Sequence, residues 1–270
     1  MVQSLDRGIK ILELIVERKL VGVMEVASYF GINKSNAFRL LDTLRLNSLV
    51  EKDKITDKYK ICAGILKLSN AFLDNSAGKI IHPYLEKLVA LTRENAHYCV
   101  FSNDRVIVID QIKSTEVINI TAQIGREEKM HCTSVGKVIL SYLPEETRDR
   151  IIESIDLKPM TKHTIISKKI LREQVNKIRN DGYAIDDEEN VIGVRCIAAP
   201  IRNHRGEVNY CIGISAPSMR MELSMFPEFI KIVKDVAAEI STQFGYVENN
   251  YDKMNNTGEE SSGNWPGLTA

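Results

Sequence analysis

Residues 33–47 read Asn-Lys-Ser-Asn-Ala-Phe-Arg-Leu-Leu-Asp-Thr-Leu-Arg-Leu-Asn, and no other stretch constrains the fold as much. Ala37, Leu40, Leu41 and Leu44 recur at helical spacing and form one apolar stripe. Asn33 stands where a helix cap belongs. A one-sided helix must pack its stripe on something, and two candidates precede it. Residues 24–30 read as a short helix closed by Gly31, a residue that tolerates positive φ. An earlier helix begins near Ser4, with Ser4 or Asp6 as cap and Leu5, Ile9, Leu12 and Ile15 or Val16 as its inward face. After residue 47 the period changes. Residues 49–54 and 58–62 read as two strands around Ile55-Thr56-Asp57, a hairpin with a basic tip. Helix, turn, helix and basic hairpin, in that order, describe a winged helix-turn-helix.

Such a unit reads DNA with the face of the third helix that points away from its core. Here that face carries Lys34, Ser35, Asn36, Phe38 and Arg39, close to the helix N-terminus that enters a major groove. Arginine can bond guanine bidentately and asparagine adenine. Lys52, Lys54, Lys58 and Lys60 of the hairpin suit phosphates, with Lys54 and Lys58 the candidate contacts. Local charge agrees: the first 70 residues hold twelve Lys and Arg against eight Asp and Glu, whereas the whole chain balances 36 against 36. A helical bundle or a protein-binding winged helix would share the helices but has no need of a basic wing.

At 270 residues the chain has room for a second domain. Apolar residues at 44% and charged residues at 27% are ordinary for a globular protein and exclude wholesale disorder. No run approaches the ~18 apolar residues of a membrane span, and the N-terminus lacks the charged-then-apolar order of a signal peptide. A cytoplasmic protein with no membrane partner is expected. The five cysteines are odd in number, widely spaced and contain no C-x-x-C, which argues against a disulfide framework or a zinc ribbon.

Beyond the wing, residues 64–75 read as an amphipathic helix ended by Gly78. Residues 80–95, 134–143, 145–155, 168–181 and 223–244 also read as helices. Residues 98–103, 105–113, 117–124, 183–186, 196–202 and 207–215 read as strands. Hairpins interleaved with helices define an α+β class with an antiparallel sheet. From residue 248 the composition turns to Asn, Ser, Gly, Thr and Glu, and with its lone Trp265 the tail is expected to be disordered.

Ser4-Leu-Asp-Arg-Gly-Ile-Lys-Ile-Leu, Asn33-Lys-Ser-Asn-Ala-Phe-Arg-Leu-Leu-Asp-Thr-Leu and Lys58-Tyr59-Lys60 together resemble the IclR family of bacterial transcriptional regulators. Met130-His-Cys-Thr-Ser-Val-Gly-Lys137, Gly182-Tyr-Ala-Ile-Asp-Asp-Glu-Glu189, Gly193-Val-Arg-Cys-Ile-Ala-Ala-Pro200 and Ile212-Gly-Ile-Ser-Ala-Pro217 extend the resemblance over about residues 4–245. It implies a winged helix-turn-helix over residues 1–62, a linker helix over 63–78, a GAF-like mixed α/β effector-binding domain over 79–246 and a tail over 247–270. It also implies a homodimer or tetramer on double-stranded DNA with a pseudo-palindromic operator. The expected function is non-enzymatic regulation, repression rather than activation, modulated by a small organic acid and needing no cofactor. Asn47-Ser48 replaces the glycine common after the recognition helix, and Ile61-Cys62 the usual Leu-Gly.

The same resemblance places Val117, Ile120, Glu128, Ser134, Val135, Asp186, Val194, Cys196, Gly213 and Ser215 around one effector pocket. Ser134 and Val135 enter a helix whose N–H groups favour a carboxylate. Glu128 departs from an apolar position and Gly213 from one that can hold a hydroxyl. Two rival readings use the same residues. Asp186, Cys196 and Cys211 could make a metal- or redox-responsive site. Cys196, His131 and Asp186 could make a cysteine hydrolase. His131 also reads simply as a structural hydrogen-bonding residue.

Overall fold

The computed structural model describes residues 1–68 and 77–247, and the chain divides into two compact units, one up to Ser76 and one from Ala77. Residues 69–76 of the linker-helix reading and 248–270 of the tail reading lie outside the described residues. Residues Ala63–Ile65 form a 3-10 turn, and Gly78 lies inside a helix rather than ending one.

In the first unit, α1 spans Gln3–Arg18, α2 Val23–Phe30 and α3 Lys34–Leu46, followed by β1 Val50–Lys52 and β2 Tyr59–Ile61 paired antiparallel. The expected winged helix-turn-helix is present. Asn33 caps α3 by accepting the Asn36 N–H at 2.8 Å, and Gly31 closes α2 at φ 60°. The core gathers Ile11, Leu14 and Ile15 of α1, Val26 and Ala27 of α2, Ala37, Leu41 and Leu44 of α3, and Tyr59 of the wing. Two details differ from the sequence reading. The buried face of α1 is Ile11, Leu14 and Ile15, whereas Leu5 (64% exposed), Ile9 and Val16 look outward. The helix is apolar on two adjoining faces, and α2, α3 and β2 cover only one. Ser4 and Asp6 lie inside α1; Val2 is its cap residue, and Asp6 instead pairs with Lys10 at 3.0 Å. Of the Asn47-Ser48 pair after α3, Ser48 takes the left-handed conformation (φ 58°) while Asn47 stays at φ −87°.

The second unit is a six-stranded antiparallel sheet in the order β5-β4-β3-β8-β7-β6. Its strands are β3 Asn95–Ser102, β4 Arg105–Ile112, β5 Glu127–Glu128, β6 Ala184–Asp187, β7 Val194–Arg202 and β8 Val208–Pro217. Strand alternation sends Ala96, Tyr98, Ile197, Ile212 and Ile214 to one face, under α4 Ala77–Thr92 and α8 Phe226–Gln243. Cys99, Val108, Ala198 and Cys211 go to the other, under α5 Ser134–Tyr142 and α7 Lys168–Asp181. Between these, α6 spans Glu145–Ser154. Asn103 and Asp104, both at positive φ, turn β3 into β4. The strand expected over 117–124 is absent. Although Ile and polar residues alternate there, the outer edge of β4 is met instead by residues 125–128: Glu127–Glu128 pair with Val106 and Ile107, and Val108 bonds with Gly125 and Arg126. Gly182 (φ 77°) ends α7 as expected.

Candidate functional site

Two surfaces carry chemistry, one on each unit. On the first, Lys34, Ser35, Asn36, Phe38 and Arg39 are all exposed along one side of α3, because the stripe of Ala37, Leu41 and Leu44 turns the opposite side inward. Lys34, Arg39 and Lys54 hold no carboxylate among the described residues. The other wing lysines do. Lys52 pairs with Asp57 at 2.8 Å, Lys60 with Glu51 at 3.2 Å and Lys58 with Glu25 of α2 at 2.7 Å. Glu25 also accepts the Gly22 N–H at 2.8 Å, and these partners, Lys58 first, hold its carboxyl below the usual range. Asp53 accepts the N–H groups of Ile55 and Thr56 and the Thr56 hydroxyl, which fixes the tip of the wing. Ile55 stands 94% exposed at that tip. Of the four wing lysines, Lys54 is thus without a carboxylate among the described residues, and the other three each have one within reach.

On the second unit, strand register does what sequence spacing could not. Asp186 lies opposite Cys196, Cys196 opposite Ser215, and Ser215 opposite Asn95, so four polar residues cross β6, β7, β8 and β3 in one row. The adjacent row is Ala184, Ala198, Gly213, His97 and Gln111. Both rows share the α5 face with Ala198 and Cys99. The Cys196 Sγ and Ser215 Oγ are 3.1 Å apart. Asp186 accepts the N–H groups of Glu189 and Asn190 at 2.8 and 3.3 Å. Burial nevertheless pushes its carboxyl up to about 7, with Glu189 raising it further and Lys137 opposing. Lys137, 1% exposed on α5, makes a short ion pair with Glu189. Burial likewise raises the Glu128 carboxyl, against the opposing charges of Arg126 and Lys129.

Four buried atoms on or beside these rows have no partner among the described residues: Asn95 Nδ2, His97 Nδ1, Gln111 Oε1 and Glu189 Oε2. His97 is held down to about 4 by burial and is neutral at pH 7. An unpartnered buried polar group costs roughly 1–3 kcal/mol, so such a cluster fits a face that receives a polar ligand.

Of the sequence-derived pocket residues, Asp186, Cys196 and Ser215 meet directly. Val135 lies above β8, its carbonyl accepting from Cys211 at 3.7 Å. Ser134 is buried beside it at the start of α5, where Thr133 Oγ1 caps the helix by accepting the Gly136 N–H. Glu128 joins the same face through its register with Val106. Val194 and Ile120 are half-buried. Val117 is 99% exposed and does not join the face. Gly213 is required by packing: a Cβ there would lie 2.7 Å from the Ile197 carbonyl oxygen. Asn95, His97, Gln111, Lys137 and Glu189 were missed. Asn95 and His97 alternate with the apolar Ala96 and Tyr98 on β3, and that alternation was the available signal.

The rival chemistries do not assemble. Cys211 sits four residues along β8 from Ser215, ~13 Å at strand rise, and pairs in register with Cys99 and Pro200. It cannot share a metal with Asp186 and Cys196, and no group of three His, Cys, Asp or Glu among the described residues could hold one. For a hydrolase, His131 engages the Lys158 carbonyl through Nε2 at 3.1 Å, while Cys196 engages Ser215. Burial first, and Asp186 second, push the Cys196 thiol well up, opposite to what a thiolate nucleophile needs.

A winged helix-turn-helix on one unit and a separate sheet domain with a buried polar face on the other describe a two-domain DNA-binding regulator. Comparison with known proteins gives the family. The model described as bacterial transcriptional regulator IclR C-terminal matches residues 76–242, and the IclR helix-turn-helix domain matches residues 4–54. The transcriptional repressor IclR of Escherichia coli is 32% identical over 248 residues, 90% of each chain. The regulator KdgR of Dickeya chrysanthemi is 30% identical over 91% of this chain and 81% of its own. Among solved structures, Thermotoga maritima IclR superposes with a TM-score of 0.75 at 28% identity, covering 91% of this chain and 100% of that one. An IclR homolog from Microbacterium hydrocarbonoxydans, complexed with 4-hydroxybenzoate, superposes at 0.80 with 19% identity, covering 90% and 99%. The chain belongs to the IclR family of bacterial transcriptional regulators and is a DNA-binding regulator of that kind. No helix among the described residues is long and apolar enough to cross a membrane.

Proposed function

We propose that this regulator is a repressor whose affinity for a pseudo-palindromic operator is set by a small organic acid bound on the α5 face of the sheet. The observation that carries the reading is the set of buried, unpartnered atoms of Asn95, His97 and Gln111 beside the Asp186–Cys196–Ser215 row. A ligand carboxylate would meet the N-terminal N–H groups of α5 at Ser134 and Val135. Burial raises both carboxyls on the face, Asp186 and Glu128, which lessens their repulsion of an anion. Val194 and Ile120 complete the site as apolar wall, and Val117 would have to move to join them. Named repressors among the relatives, including the acetate operon repressor of Salmonella typhimurium, and the 4-hydroxybenzoate complex of a homolog support this reading.

DNA is read by Lys34, Ser35, Asn36, Phe38 and Arg39, with Lys54 on phosphate. Two copies would pair through the outward stripe of Leu5, Ile9 and Val16, matching the two-fold symmetry of an operator. Ligand control requires that the acid bind the DNA-competent and incompetent states with different affinity. The domain division over residues 1–62, 63–78 and 79–246 belongs to the same proposal.

The test is selection of bound fragments from a genomic library by wild type and by Arg39→Ala. An inverted repeat shared by wild-type fragments, with one base position relaxed and ~1–3 kcal/mol lost in the variant, is the expected result. Equal binding by Arg39→Ala would refute this placement of the recognition surface. Adding 4-hydroxybenzoate or short aliphatic acids to the selected site should shift its occupancy for one of them.

A further inference from the structure

A concave site lies elsewhere on the second unit. A groove of about 1010 Å³ opens where β7 ends, bounded by the C-terminal ends of α5 and α7, the turn between β7 and β8, and α8. At its side sits Arg202, half-buried and immobilised. Its guanidinium carbon is 5.2 Å from the Tyr142 ring centre and 5.4 Å from that of Tyr246. Its Nη2 donates to the Tyr142 hydroxyl at 3.2 Å, and its backbone N–H donates to Ser241 Oγ at 2.9 Å.

The other half-buried arginines of this unit each hold a carboxylate: Arg148 with Asp149, Arg172 with Glu153, Arg195 with Asp187 and Arg220 with Glu94. Arg202 holds none among the described residues. Arg179 and Arg205 on the groove's rim hold none either, and His204 stands beside them. The helix ends explain part of this charge. Lys234 donates to the Asp181 carbonyl at 2.8 Å, and Arg179 sits in the last turn of α7, where a cation offsets the helix dipole. They do not explain Arg202 or Arg205, which belong to a strand end and a hairpin turn. Among the described residues the carboxylate bordering the groove is Asp181, which is influenced by Lys177 and Lys234.

We propose that this groove binds a small molecule bearing a phosphate group, with the phosphate on Arg202 and Arg205 and within the field of Arg179. Among the described residues, three guanidinium groups against one carboxylate match a dianion better than a singly charged acid, and the guanidinium fork bonds phosphate oxygens in pairs. A concave groove of this volume suits a small ligand rather than a duplex backbone. The inference uses none of the residues of the α5 face or of α3, so it does not rest on the function proposed above.

The experiment is a thermal-shift and calorimetric titration of the full chain with inorganic pyrophosphate, against sodium chloride at matched ionic strength. Saturable stabilisation by pyrophosphate is expected, weakened about tenfold or more in Arg202→Met. Because Arg202 also packs between two rings, the exposed Arg205→Ala is run beside it and should weaken binding without lowering the melting temperature of the free protein. Absence of saturable stabilisation, equal effects of the chloride control, or an unchanged affinity in both variants would overturn the proposal. So would variants that leave the pyrophosphate response intact and weaken operator binding instead, which would make the groove a DNA surface.

Discussion

Asp186 shows how a single residue acquires a property that its identity does not confer. Its carboxyl accepts two backbone N–H groups, yet burial dominates and raises it to about 7. An unfolded Asp releases its proton near ~3.9. Between those values the folded state binds the additional proton, so stability falls as pH rises from about 4 to about 7 and levels off above. Lys137, Glu189 and the Cys132 and Cys196 thiols face this group, and Asp186→Asn leaves them in place. Relative to wild type, the variant is expected to gain in urea midpoint on going from pH 5 to pH 8, since amide oxygen can still accept both N–H groups. An unchanged difference at the two pH values would mean that Asp186 is ionised throughout. The sequence marked Asp186 through the family resemblance, and cross-strand register supplied the physical reason. Asn95, His97 and Gln111 stayed hidden because strand pairing, not sequence distance, brings them to Ser215 and Gly213.

At the scale of elements, α3 and the wing were legible to different degrees. A cap residue, a four-residue stripe and a polar outer face are all local, so α3 and its exposed residues could be read directly. The wing's hairpin was equally local, but the role of its lysines was not. Lys58 is held by Glu25, 33 residues earlier, and that partner is set by how α2 meets β2. Lys54→Ala is therefore expected to weaken operator binding severalfold and evenly across sequences, whereas Lys58→Ala should have the smaller effect on affinity. Fluorescence titration of both variants on the selected site and on an unrelated duplex decides this; a larger loss for Lys58→Ala would show that its pair with Glu25 opens on DNA. The outward stripe of α1 misled for a related reason. Periodicity finds apolar faces, but only packing says which of two faces is covered within one chain.

Across the whole molecule, each unit has its own core, one around Leu41 and Tyr59 and another around Ile212 and Ile214. Leu41→Ala should cost ~2–5 kcal/mol and lower the calorimetric transition of the first unit, while Ile212→Ala should lower that of the second. Equal displacement of the entire profile by either variant would mean that the cores melt as one cooperative body. The two-part organisation was readable because periodicity changes near residue 49 and again after the wing, while the loop over 117–124 was not, since its alternation lacks a strand to pair with. The wing's internal pairing has a further consequence for the energetics of association. A duplex sheds condensed ions in proportion to the bare cations brought to it, and the entropy of that release supplies much of non-specific affinity. Lysines that arrive with carboxylates already attached release few. With α3 in the groove as proposed, this protein is therefore expected to bind random DNA weakly for its lysine content and to draw more of its operator affinity from base-edge contacts, which favours discrimination over residence on the rest of the chromosome.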